Sequence, residues 1–239
     1  MRADIDRSEG DVNLGDRRTA WQSAHIDEET RALLDEDARW FLHQSMSTPC
    51  LNVLEGAHGA WLTDTAGRRI LDFHGNSLHQ VGYGHPKVMA ALRETLDTLP
   101  FSPRRYTNRP AIELARRLCT AAPMEDAKLL FAPGGTAAIG MALKLARLVT
   151  GRFKTLSMWD AFHGASLDAI SIGGEAVFRR GIGPLLPGTE HVPPCDPAQC
   201  VFGCGGTCAL RCVDYIDYCL RKEGDVAADF IEGLLDIAD

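Results

Sequence analysis

The sequence predicts an α/β fold in which a mostly parallel sheet is covered by helices. Three observations carry that expectation. From residue 128 onward, short apolar runs alternate with stretches of helical periodicity, the pattern of βα units. The stretch Leu130–Lys144 joins an apolar run to Pro133-Gly134-Gly135-Thr136 and then to a helical pattern. The chain has 239 residues, 45% hydrophobic and 24% charged, which suffices for a sizeable core.

Residues 1–25 are polar and read as a loose arm. Asp27, followed by Glu28 and Glu29, opens a helix that reaches about Gln44, with Leu33, Leu34, Ala38, Phe41 and Leu42 as its apolar face. Short strands are predicted at Leu51–Leu54, Ala60–Thr63 and Arg69–Phe73, the last two joined by a turn at Thr65-Ala66-Gly67-Arg68. A glycine-rich loop from Gly75 to Gly84 leads to His85-Pro86, and proline suits the first position of a helix running to about Leu96. A further helix is predicted over Pro110–Ala121.

Strand 128–132, helix 136–150, strand 154–158 and a helical turn from Ser166 follow. The 136–150 helix is apolar almost all round, so it is expected to be buried. Gly140 within it costs about 1 kcal/mol relative to alanine, which points to close packing against a strand. Residues 173–208 are rich in Gly and Pro with little periodicity; a helix over Ala209–Lys222 and a strand at Val226–Ala228 close the pattern. The expected organisation is an arm (1–25), a helix with small-domain strands (26–75) and a large domain (76–239).

A formal net charge of −7 speaks against a nucleic-acid or anionic-membrane binder driven by bulk charge. No stretch reaches the roughly 20 apolar residues of a membrane span, and the first residues lack the apolar core of a secretory signal. Eight cysteines without an export signal read as reduced thiols in the cytoplasm.

The turn at Gly134-Gly135-Thr136 is where chemistry is expected. Glycines before a helix let a ligand approach the backbone, and the free N–H groups of the first turn, with the helix dipole, favour an anion there. Thr136 stands at the expected N-cap, its hydroxyl available to the helix or to a phosphate oxygen. Ala137 and Ala138 add no carboxylate. Neither nucleotide-binding glycine pattern is present, and a glycine turn before a buried helix accounts for the same residues.

About 25 residues further on stands Trp159-Asp160-Ala161-Phe162-His163-Gly164. A strand, P-G-G-T-A-A and a helix, then a strand and W-D-A-F-H-G, resemble the fold type I enzymes that use pyridoxal 5'-phosphate (PLP), and within them the class-III aminotransferases. Leu71-Asp72-Phe73-His74-Gly75 through Gly82-Tyr83-Gly84-His85-Pro86-Lys87-Val88, and Tyr106-Thr107-Asn108 to Leu118, resemble further segments of that family. The resemblance covers about residues 50–228. It implies a PLP-binding large-domain portion and small-domain strands.

By the same resemblance, Gly134, Gly135 and Thr136 hold the phosphate, Phe162 stacks on the pyridine ring, and His163 belongs to the motif. Phe162 as a core residue, and His163 as a support of its loop, are the alternatives. The family usually has Ser-Gly-Ser/Thr-Glu-Ala where this chain has Gly134-Gly135-Thr136-Ala137-Ala138, so one hydroxyl and one carboxylate are lost. The fuller motif set is most similar to a subgroup that eliminates ammonia from an aminoalkylphosphonate to give phosphonoacetaldehyde. Arg104 and Arg105 then face the phosphonate, since guanidinium groups bind such oxyanions bidentately; two solvated surface arginines are the other reading.

An ordinary omega-type transaminase, and a non-enzymatic zinc-binding or inactive fragment, are the alternative functions. The resemblance further implies a small-molecule amine substrate and a homodimer. The family's Schiff-base lysine is expected beyond residue 239, leaving the catalytic residues unknown and this chain inactive alone and poorly soluble.

Six of the eight cysteines, Cys195, Cys200, Cys204, Cys208, Cys212 and Cys219, lie within one segment. Four thiolates can hold zinc, yet the usual C-x2-C pairs are absent. Reduced structural thiols are the alternative.

Overall fold

The computed structural model describes residues 16–41, 50–75, 80–103, 105–196, 198–204 and 208–230, with residues 228–230 described as backbone only. They divide into two compact units, 16–127 and 128–230. The division falls after Ala127, whereas the sequence reading separates the small-domain strands from the large domain after residue 75.

In the first unit, α1 spans Asp16–His25, where the sequence reading expected a loose arm. Its Arg, Ala and Gln residues are good helix formers, and Trp21 stacks on His25 one turn later, with ring centroids 5.0 Å apart. Helix α2 spans Glu28–Trp40. Asp27 caps it, accepting the Thr30 N–H at 2.7 Å, as the Asp-Glu-Glu opening predicts.

A meander follows: β1 (Leu54–His58), β2 (Trp61–Asp64) and β3 (Arg69–Leu71), antiparallel in that order. The first strand begins where the sequence reading ended it. The β2–β3 turn is built as expected: Gly67 takes a positive φ of 74°, and its N–H reaches Asp64 O at 2.9 Å. Buried Asp64 also accepts Arg68 N at 2.8 Å and Asn52 Nδ2 at 2.9 Å. Helices α3 (Pro86–Thr98) and α4 (Arg109–Ala121) complete the unit. Asn108 caps α4 through Ala111 N at 3.0 Å.

The second unit holds α5 (Gly135–Thr150), β4 (Lys154–Met158), α6 (Leu167–Ile172), α7 (Ala176–Arg179), β5 (Thr189–Val192), α8 (Arg211–Glu223) and β6 (Val226–Phe230). Its strands pair in parallel in the order β5-β4-β6, so the predicted parallel sheet is present. Leu156, Met158, Ala161, Val192 and Ile216 form the buried cluster between this sheet and α8. Lys154 ties the end of α8 to the start of β4, with its ammonium 2.8 Å from Glu223 Oε2 and 3.0 Å from Asp225 Oδ1. Both carboxylates raise the Lys154 pKa.

Four expectations in this unit are corrected. Residues 128–132 form no strand: an extended apolar run becomes a strand only against a partner, and no described strand pairs with it. Helix α5 is not buried all round: Leu143 is its one buried residue, while Leu148 and Val149 are 78% and 76% exposed. Gly140 packs not against a strand but against α6, for a Cβ there would stand 2.5 Å from Asp168 Oδ2. The Gly/Pro-rich 173–208 segment contains α7 and β5, both too short for periodicity to reveal.

Candidate functional site

The residues expected to bind a phosphate lie at the N-terminus of α5. Gly134, not Thr136, is the N-cap, and Thr136 is the second helical residue. Ala138 N bonds Gly134 O at 3.0 Å, at the opening of the helical ladder. The amides before it have no acceptor within their own helix. No acidic residue stands in the first turn. A Cβ built at Gly134 or Gly135 would meet nothing within 4 Å, so no neighbouring atom crowds the Cβ side of these two glycines. The group of donors suits a dianion.

An open concavity of about 590 Å³ runs from this helix start along α5 to α6, lined by Gly134, Thr136, Gly140, Lys144, Ser166 and Asp168 among others. Asp168 accepts a hydrogen bond from the Ser166 hydroxyl.

The second half of the site follows the carboxyl end of β4, where ligands bind in parallel sheets. Residues 159–164 leave the strand as a loop. Gly164 takes φ 131°, and a Cβ there would approach Thr136 Cβ to 2.8 Å and Thr136 Cα to 3.0 Å. The structure therefore brings the 162–164 loop against Thr136. Phe162 is 45% exposed, and its ring tilts against Phe178 of α7 at 4.6 Å between centroids. With half its surface open, Phe162 is not an ordinary core residue.

His163 is buried. Its Nε2 lies 3.1 Å from the Ser157 hydroxyl on β4, so this edge of the ring faces the sheet and ties the loop to it. Nearby, His191 donates from Nε2 to Gly173 O at 3.0 Å and stacks on Trp159 at 4.4 Å. Burial lowers the His191 pKa, which favours the neutral ring. Gly174 crosses under the start of the loop, where a Cβ would come within 2.5 Å of Trp159 Cα.

Arg104 lies outside the described residues. Arg105 is exposed and belongs to the first unit. In that unit Tyr83 donates to Asp72 Oδ2 at 2.6 Å, and Asp72 Oδ1 accepts the N–H groups of Gly75 and His74, each at 2.9 Å. These bonds, led by the tyrosine, hold the Asp72 pKa down to about 2. Sequence reasoning passed over Ser157, Phe178 and Asp168, and read Gly164 only as part of the motif. Of these only Gly164 left a signal, as the glycine that closes the aromatic-His-Gly motif.

Comparison with known proteins bears on the family and the fold. The chain is 46% identical over 243 residues to the (R)-1-hydroxy-2-aminoethylphosphonate ammonia-lyase of Vibrio splendidus, covering 95% of this chain and 51% of that protein. It is 31% identical over 186 residues to the alanine/serine racemase of Pyrococcus horikoshii, covering 73% and 39%. The chain thus spans about half or less of these relatives' length. Among solved structures, a PLP-bound amine transaminase from an uncultivated Pseudomonas species superposes with a TM-score of 0.70 at 27% identity, over 80% of this chain and 47% of that one. A taurine:2-oxoglutarate aminotransferase from Bifidobacterium kashiwanohense, with PLP and glutamate, shares the fold at a TM-score of 0.74 and 23% identity, over 85% and 48%. Residues 43–235 match the family described as Aminotransferase class-III, and with a parallel sheet, a glycine-opened helix and an aromatic loop set against it, the chain belongs to that family.

Proposed function

We propose that the protein is a PLP-dependent enzyme that eliminates ammonia from (R)-1-hydroxy-2-aminoethylphosphonate. The observation that carries the cofactor half of this reading is the cradle at the start of α5: open glycines, acceptor-free amides, a hydroxyl and no carboxylate. The reaction half is supported by the 46% identity to the Vibrio splendidus enzyme of that name.

Gly134 and Gly135 offer their backbone N–H groups to the phosphate, and Thr136 adds its hydroxyl. Phe162 lies across the pyridine ring, backed by Phe178. His163, bonded to Ser157, holds that loop in place. The cofactor, when bound, supplies an electron sink for the carbon beside the amine. Arg104 and Arg105 take the phosphonate, where planar guanidinium groups match its oxygens. The working protein is a homodimer. Loss of ammonia from the substrate leaves phosphonoacetaldehyde, with no change in overall oxidation level.

Two measurements test this reading. In equilibrium dialysis, Thr136→Val weakens PLP binding by roughly tenfold or more, the loss of one hydrogen bond to a charged group (about 1.5–3 kcal/mol). Pyridoxal without the phosphate binds far more weakly and does not distinguish the two proteins; equal affinity for PLP and pyridoxal would sink the cradle. The reaction is read by mass detection of phosphonoacetaldehyde, in the absence of any 2-oxo acid, from a full-length relative that carries the Schiff-base lysine, since this chain is expected to be inactive alone. The hydroxyl-retaining aldehyde 1-hydroxy-2-oxoethylphosphonate, formed only when a 2-oxo acid is supplied, would instead mean a transaminase, the second reading, which the amine transaminase neighbour favours.

A further inference from the structure

One cation beside the site has not yet been given a role. Arg179 ends α7, the short helix whose Phe178 meets Phe162. The side chain is half-buried. Its Nε is buried and meets no hydrogen-bond acceptor among the described residues. A buried polar group without a hydrogen bond is costly, and where one persists another contact offsets the cost. The contact here is the face of Trp159: the guanidinium carbon lies 5.3 Å from the centroid of that ring, within the range of a cation–π interaction.

Trp159 is the first residue beyond β4, and the next residue, Asp160, holds a left-handed φ of 64°. Such a backbone is unfavourable for a residue with a Cβ, and it persists only where its surroundings fix it. The fixing contacts lie on both sides. Before Asp160, the Trp159 N–H donates to Val192 O at 2.9 Å, and the Trp159 ring meets both His191 and Arg179. After it, Ala161 O accepts the N–H groups of Gly174 at 2.9 Å and Glu175 at 3.4 Å. Phe162 follows at once. The direction in which its ring leaves the chain is therefore set by a strained turn, and Arg179 bears on the side chain at the entrance to that turn.

We propose that Arg179 is a positioning residue: its guanidinium, laid on Trp159, holds the left-handed turn at Asp160 and so aims the Phe162 ring at the pyridine ring of PLP. This inference rests on the PLP reading above. It divides the cofactor's contacts in two. The start of α5 takes the phosphate, and Arg179 serves the ring alone. Loss of Arg179 then weakens PLP without weakening a bare phosphate.

The test compares PLP with inorganic phosphate on the full chain, PLP by equilibrium dialysis and phosphate by its competition against PLP. Arg179→Met keeps the stem and removes the charge. It is expected to weaken PLP about fivefold, while the inhibition constant of phosphate moves by no more than about twofold. Arg179→Lys keeps a cation for the indole face and recovers about half or more of the loss. Amide hydrogen exchange in Arg179→Met rises in the peptide over 159–164 and not in that over 154–158. Equal PLP affinity in wild type and Arg179→Met overturns the inference and leaves the phosphate cradle standing. Phosphate and PLP weakened alike, or faster exchange in both peptides, also overturns it, since the residue then serves general packing. Arg179→Lys binding PLP no better than Arg179→Met removes the cation from the account and overturns it as well. A wild-type chain that binds PLP no better than pyridoxal overturns the cofactor reading, and this inference with it.

Discussion

At Gly164 the backbone holds φ 131° with its Cα turned to Thr136, so a methyl group there would overlap the threonine. Gly164→Ala is therefore expected to cost about 1–3 kcal/mol from overpacking alone, with backbone strain in addition. Because the displaced group is the threonine we propose as a phosphate ligand, the same variant is expected to lose roughly tenfold or more in PLP affinity, about 1.4 kcal/mol or more in binding. Urea denaturation and equilibrium dialysis on one preparation check both effects. Asp72 offers a pH-dependent test. Its proton binds near pH 2 in the folded chain and near pH 4 in an unfolded one. Its contribution is complete above about pH 4 and is lost as pH falls toward about 2. Removing the phenol by Tyr83→Phe raises the Asp72 pKa toward the ordinary carboxylate range, which carboxyl-carbon NMR titration reads directly. No upward shift would mean that the hydrogen bond to Tyr83 is not the leading cause.

Among the elements, α5 and β4 were the most legible. A glycine turn followed by a helix is written in consecutive residues, and so is an Asp cap. β4 at 154–158 and the Asp27 cap of α2 accordingly stand where the sequence put them. Elements whose existence depends on distant partners were not legible. The 128–132 run has strand composition without strand pairing, and β5 is four half-polar residues that read as loop until β4 lies beside them. Within the candidate site, a local motif named Phe162 and Gly134–Thr136, and the structure sets the 162–164 loop against Thr136. Ser157 and Phe178 were not legible, because each acts across a gap in sequence. Gly140 separates the two kinds of cause. Alanine in a helix interior normally gains about 1 kcal/mol over glycine, but here its Cβ would meet the Asp168 carboxylate. Gly140→Ala alone is expected to gain nothing or to destabilise, whereas in an Asp168→Ala background the same change recovers the gain of about 1 kcal/mol. A double-mutant cycle by chemical denaturation measures this; equal effects in both backgrounds would remove the carboxylate from the account.

Over the whole molecule, the buried apolar set is small beside the apolar surface left open. In the second unit Leu130, Leu145, Leu148 and Val149 are each more than half exposed, and in the first Leu92, Leu96 and Ile112 are as well. Neither α3 nor α4 buries a residue completely. Contiguous apolar surface of this kind marks contact sites. The chain is expected to bind 1-anilinonaphthalene-8-sulfonate with a several-fold rise in fluorescence, and to gain mass with concentration in sedimentation velocity. A concentration-independent monomer with no dye response would overturn this. Among the described residues no helix is long and apolar enough to cross a membrane.

Lys154 is the first residue of β4, and its ammonium holds the carboxylates on either side of Gly224. The corner that aims the last strand along its neighbour is thus set by charge as much as by oil. Replace that lysine with methionine and the ladder keeps its rungs but loses its index mark. Since a shift of one residue turns every side chain of a strand over, this cation adds a charged mark of alignment to the buried cluster that packs the sheet.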